Sequence, residues 1–156
     1  MSRPRDSQRA RCYKWEGEFE KRYDLHRPPL LSLEACQRIV EMVWQDYFPR
    51  TKAPKVRDGR GARRASGNYR RIVLPCHTRV WHIVLHELAH AIEDNWNLDA
   101  MPWHGPIWVR LFIDLMVRYA GLPEKDLTDL CKEYKVMYAL LSDIPHGTTT
   151  SLVKAG

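Results

Sequence analysis

The sequence predicts an α+β fold that is mainly helical, with a small antiparallel sheet just before one distinctive helix. Three observations predict it. Apolar residues recur at helical spacing in five separate stretches. One internal stretch, residues 50–75, breaks that rhythm with glycines, prolines and short strand-like runs. The third helical stretch carries His86-Glu87-Leu88-Ala89-His90, which sets two histidines four residues apart. At 156 residues, 44% of them hydrophobic, one domain over 10–144 is expected, between a basic flexible arm (1–9) and a flexible tail (145–156).

Taken in order, a first helix is expected from Ser7 to about Asp24. Trp15, Phe19 and Tyr23 share its inner face, and Arg27-Pro28-Pro29 ends it. Ser32 is a good N-cap for a second helix over Leu33–Tyr47, whose stripe is Leu33, Cys36, Val40, Val43, Trp44 and Tyr47. Turn signals at Pro54, Gly59, Gly61 and Gly67-Asn68 then separate three short strand candidates: 55–57, 62–66 and 69–74. The third helix is expected from Thr78 to Asn95. Its apolar residues Trp81, Val84, Leu85, Leu88 and Ile92 lie about 160–260° round from His86, so one side is buried and the histidines face away from it. Pro106 and Gly121 bracket a fourth helix, and a fifth is expected from Glu124 to Leu141.

The net charge is +6 and unevenly placed. Residues 50–71 hold nine basic side chains and one acid, Asp58. The first fourteen residues add Arg3, Arg5, Arg9, Arg11 and Lys14 against Asp6. Clustered positive charge attracts a phosphate backbone, so Arg57, Arg60, Arg63, Arg64, Arg70 and Arg71 are candidate nucleic-acid contacts. The competing reading is a solvated basic hairpin that aids solubility. The four cysteines are far apart and form no C-x-x-C pair, which argues against a zinc ribbon. No apolar run approaches the roughly 18 residues of a spanning helix, and no charged start leads into an apolar leader. A cytoplasmic protein with free thiols is expected.

The chemistry is expected at the third helix. Histidines four apart aim two imidazoles at one ion, and Glu87 sits about 100° round the axis, within reach of a water on that ion. Hydrolytic zinc chemistry needs that set plus a third ligand and an open position. A metzincin would need Gly at 93 and His at 96, and Glu93 and Trp96 stand there. The third ligand is therefore sought elsewhere. His104 is the leading candidate, since it lies where a loop enters the fourth helix; Asp114 and Glu93 are the alternatives. His82 shares the histidine side of the helix and reads as a packing residue. His77 beside Cys76 has no partner pair at ligand spacing.

His-Glu-Leu-Ala-His-Ala followed by His104-Gly105-Pro106-Ile107-Trp108 resembles the SprT-like zinc metalloprotease family. The likeness is close over about 67–112 and weaker from 32 onwards. The opening Arg5-Asp6-Ser7-Gln8-Arg9-x-Arg11-x-Tyr13 also resembles a group of uncharacterised metallohydrolases of actinobacteria and their phages. The resemblance implies a zincin-like domain in which His86, His90 and His104 bind Zn²⁺ and Glu87 is the base. It implies hydrolysis of peptide bonds, with DNA-associated proteins as one substrate class. Many family members carry a downstream DNA-binding module, and this sequence shows none; the basic 50–71 region could substitute. A substrate strand is expected beside Ile72–Leu74. The alternatives are a nucleic-acid-binding or regulatory protein with a structural zinc, and a zinc hydrolase of a non-peptide substrate.

Overall fold

A computed structural model describes residues 2–27, 29–98 and 100–145. The elements run α1 (Arg9–Arg22), α2 (Leu33–Tyr47), β1 (Lys55–Asp58), β2 (Ser66–Gly67), β3 (Arg71–Leu74), α3 (Trp81–Asn95), α4 (Pro106–Ala120) and α5 (Glu124–Glu133), with short 3-10 turns at Cys76–Thr78 and Leu141–Asp143. The fold is mixed α+β and mainly helical. The chain divides into two compact units. One joins the stretch up to Arg27 with Leu98–Ile144, and the other is the stretch between them, ending at Asn97. The tail expected at 145–156 lies, beyond Pro145, outside the described residues. No helix among those described is long and apolar enough to cross a membrane.

The discontinuous unit is helical. Cys12, Trp15 and Phe19 recur on one face of α1 and are fully buried. Trp15 meets Phe19 edge-on at 5.0 Å and Phe112 of α4 at 6.0 Å. The Trp15 indole N–H donates to the Leu127 carbonyl of α5 at 3.1 Å, so this large core residue also has its polar atom satisfied. Each such ring, fully buried, contributes about 1.5–3 kcal/mol. Both α4 boundaries fall where Pro106 and Gly121 put them. Pro106 fills the first turn, and Gly121 takes the left-handed C-terminal position at φ 71°.

Several helix ends differ from expectation: α1 starts at Arg9, not Ser7, and α3 starts at Trp81, not Thr78, which lies in a 3-10 turn. α1 stops at Arg22, and Asp24 turns left-handed at φ 52°. α5 stops at Glu133, eight residues before the expected Leu141. Lys135 turns left-handed at φ 56°, and Val136 N–H closes back on the Cys131 carbonyl at 2.8 Å. The backbone beyond is used elsewhere: Met137 N–H donates to Gln8 Oε1 at 2.8 Å and Ala139 N–H to the Pro106 carbonyl at 2.9 Å. A helix through 136–141 would forfeit both bonds.

The other unit lays α2 and α3 against one face of the three-stranded sheet. Ser32 caps α2 as expected, its Oγ accepting from Ala35 N–H at 3.1 Å. Val56, Ile72 and Leu74 point inward towards the helices. Gln37 on α2 fastens the outer edge of β1: its Oε1 accepts from Val56 N–H at 2.7 Å and its Nε2 donates to the Pro54 carbonyl at 3.1 Å.

The sheet is mixed, which corrects the antiparallel expectation. Strand order is β1-β3-β2; β1 pairs parallel with β3, and β2 pairs antiparallel with it. The twelve residues Gly59–Arg70 are long enough for the crossover that parallel pairing requires. They carry β2 round to the far side of β3, which is therefore central. A substrate strand cannot add beside Ile72–Leu74, because both edges of that strand are already paired.

Candidate metal centre

α3 presents His86 and His90 one turn apart, with ring centroids 5.0 Å from each other. They are 9% and 7% exposed, and Glu87 between them is 6% exposed. His82 and Glu93, on the same side of the helix, are fully buried. The opposite stripe of Val84, Leu85, Leu88 and Ile92 is buried too, so α3 is enclosed on both sides. Trp81, expected within that stripe, is 40% exposed at the helix start. Burying several ionisable side chains on one helix face is costly unless they are hydrogen-bonded or coordinate metal.

β2 runs against this helix at Glu87. A Cβ on Gly67 would lie 2.5 Å from the Glu87 carbonyl oxygen and 3.0 Å from Glu87 Cβ. Only glycine lets the strand approach Glu87 so closely. In the sequence Gly67-Asn68 reads as turn punctuation, and the turn does follow: Asn68 Oδ1 accepts from Arg70 N–H at 2.9 Å and Arg71 N–H at 3.0 Å. The close approach to a helix some twenty residues later has no local signature.

His104 belongs to the helical unit and is 5% exposed. Its turn is built by Pro102-Trp103-His104-Gly105, with Gly105 N–H donating to the Pro102 carbonyl at 3.1 Å. A Cβ on Gly105 would meet Pro102 Cγ at 2.7 Å, so glycine is needed there. Pro106 then starts α4. His-Gly-Pro thus has a physical reading: a tight turn, no room for a side chain, and a helix start that throws His104 to one side.

Asp6 addresses the imidazole directly, its Oδ2 lying 2.6 Å from His104 Nδ1. The ring also meets Trp108 edge-on at 4.7 Å and Tyr13 at 5.3 Å. The His104 carbonyl accepts from Gln8 Nε2 at 2.8 Å and from the Cys12 thiol at 3.7 Å. Burial pushes the Cys12 thiol well above its ordinary range, so it stays protonated and serves as a donor. Residues 2–8, expected as a flexible arm, are thus tied to the His104 turn. No spacing rule could have found Asp6, which is 98 residues from the ring it touches.

The other candidates are placed as follows. Asp114 sits mid-α4 and accepts from Arg118 at 3.4 Å. Cys76 and His77 lie exposed in the 3-10 turn after β3. Arg57 and Arg71 point outward from the sheet with Lys55, while Arg60, Arg63, Arg64 and Arg70 are exposed in the connecting turns. Asp58 is already engaged by Arg79 at 3.0 Å. Compared with protein-family models, curated proteins and solved structures, the chain matches none.

Proposed function

We propose that the chain is a zinc-dependent metallopeptidase of the SprT-like kind, with a zincin-like fold around α3. The observation that carries this is the pair of buried histidines, His86 and His90, that α3 sets one turn apart with Glu87 beside them; His104, buried in the helical unit, is the proposed third ligand. The donor set fits zinc, which takes imidazole nitrogens readily and leaves a position open when only three protein ligands bind. When bound, the ion supplies Lewis acidity: it makes a water nucleophilic near neutral pH and polarises a carbonyl. His86, His90 and His104 are neutral ligands and leave the ion's charge undiminished. Glu87 takes the proton from the attacking water and passes it to the leaving amine. β2 is an edge strand whose main chain lies against that of Glu87, so an extended peptide paired along Ser66–Gly67 would run beside the helix turn that carries the base.

The outer face of the sheet supports a nucleic-acid partner, and with it proteins bound to DNA as substrates. Lys55 and Arg71 are cross-strand neighbours, and Arg57 follows on the same face. Like charges side by side are unfavourable. A phosphate backbone laid across them would remove that cost. The four cysteines are all free thiols, in keeping with a reducing cytoplasm.

The test combines metal analysis with a peptidase assay, with and without DNA, on wild type and Glu87→Gln. One zinc per chain is expected in both proteins. Proteolysis should fall by about 10²–10⁴-fold in the variant. Equal cleavage by Glu87→Gln would refute the mechanism. Zinc retention with no hydrolysis by wild type, together with steeply salt-dependent DNA binding, would favour a DNA-binding protein with a structural zinc.

A further inference from the structure

We propose that Asp6 is the positioning residue for His104, so that the first few residues of the chain set the metal affinity of the centre. This rests on His104 being a ligand.

Asp6 Oδ2 and His104 Nδ1 are 2.6 Å apart, with side chains 15% and 6% exposed. A carboxylate can only accept at neutral pH, so it keeps the imidazole proton on Nδ1. The lone pair is then on Nε2, the nitrogen on the far side of the ring, which becomes the ligand atom. A carboxylate behind a ligating imidazole also strengthens it as a donor.

The surroundings show that this pairing is built. Gln8 is 4% exposed, and its side-chain amide is fully used. Its Nε2 donates to the His104 carbonyl at 2.8 Å and the Met137 carbonyl at 3.0 Å, and its Oε1 accepts from Met137 N–H at 2.8 Å. Arg3 lies 3.8 Å over the Trp103 ring and donates to the Met101 carbonyl at 3.2 Å. Arg3, Asp6, Gln8 and Cys12 therefore all converge on the turn that carries His104. Three of them hold main chain or a neighbouring ring. Of the four, it is Asp6 that acts on the imidazole. Packing by itself does not call for a carboxylate there, since partial burial of its charge is costly. The cost is offset when the imidazole beside it carries or shares positive charge, as a ligand to a divalent cation does.

The test measures zinc affinity of the full-length protein by competition with a chromophoric chelator, for wild type, Asp6→Asn and Asp6→Ala. Visible spectra of the cobalt-substituted proteins and melting of the zinc-free proteins accompany it. Asp6→Ala should bind zinc about 10–100-fold more weakly and shift the cobalt bands. Asp6→Asn still offers an oxygen to Nδ1–H and should fall between the two; being nearly isosteric, it carries the test if Asp6→Ala does not fold. A purely structural Asp6 would lower zinc-free melting while leaving zinc affinity within about twofold and the cobalt spectrum in place, and that result overturns the proposal. A wild type without zinc affinity overturns both the metal centre and this role. A zinc-binding wild type matched by both variants overturns the role of Asp6 alone.

Discussion

Replacing Gly67 with alanine adds one methyl group where β2 meets α3. That carbon would sit 2.5 Å from the Glu87 carbonyl oxygen, 3.0 Å from its Cβ and 3.1 Å from its carbonyl carbon. Ordinary carbon-to-oxygen approaches are about 3.3–3.6 Å, so roughly 0.8–1.1 Å must be found. The obstacle is helix main chain, which cannot rotate aside as a side chain can. Overpacking of this kind costs about 1–3 kcal/mol. Alanine also restricts the unfolded chain, which offsets about 0.4–1 kcal/mol. Gly17→Ala isolates the clash, because Gly17 lies within α1 with nothing inside 4 Å of an added Cβ. It should stabilise by about 0.5–1 kcal/mol. Urea titrations of the two variants against wild type should therefore move in opposite directions. On the proposed mechanism Glu87 would have to keep hydrogen-bond reach of a water, and a misplacement near 1 Å costs about 10²-fold in rate, so Gly67→Ala should also lower any peptidase activity of the parent. A Gly67→Ala protein as stable as its parent would refute the close packing of β2 on Glu87.

Two further outcomes follow from burial and charge. Burial pushes the Cys131 thiol up to about 12, whereas an unfolded thiol titrates near 8.5. A folded-state pKa above the unfolded one gives stability that is complete below about pH 8.5 and is lost as pH rises towards about 12. Urea midpoints at pH 7 and pH 10 should show that loss, and Cys131→Ala should make it smaller; an identical loss in the variant would show that the thiol is not responsible. Neutralising Lys55, Arg57 and Arg71 to Gln should weaken DNA binding and make its salt dependence shallower, by about 0.7–0.9 in slope for each phosphate that these side chains neutralise in the parent. An unchanged slope, measured by fluorescence anisotropy across a salt series, would place any DNA-binding surface elsewhere.

The helices were legible because their signal is local. Ser32 caps α2, and Pro106 and Gly121 bracket α4, each through atoms within one turn of the residue concerned. His86 and His90 are legible for the same reason, since four-residue spacing alone puts them on one face. What could not be read is whatever depends on a distant partner. Parallel pairing of β1 with β3 is decided by where β2 goes, and α5 ends early because Gln8 and Pro106 take the backbone bonds of Met137 and Ala139.

The same division runs through the candidate site. A metal ligand is marked by its own chemistry, so histidines at ligand spacing stand out in a bare sequence. The residues that orient a ligand or admit a strand have no such mark. Asp6 is one acid in a basic stretch until its oxygen is found on His104 Nδ1. Gly67 is one more turn glycine until its missing side chain is set against Glu87. The two constrain different atoms, an imidazole tautomer and a helix carbonyl. Asp6 substitutions should therefore move metal affinity first, whereas Gly67→Ala should move stability and rate first. Zinc affinity and urea midpoint measured on the same pair of variants separate the two roles, and a shared profile would mean that both residues simply hold the fold.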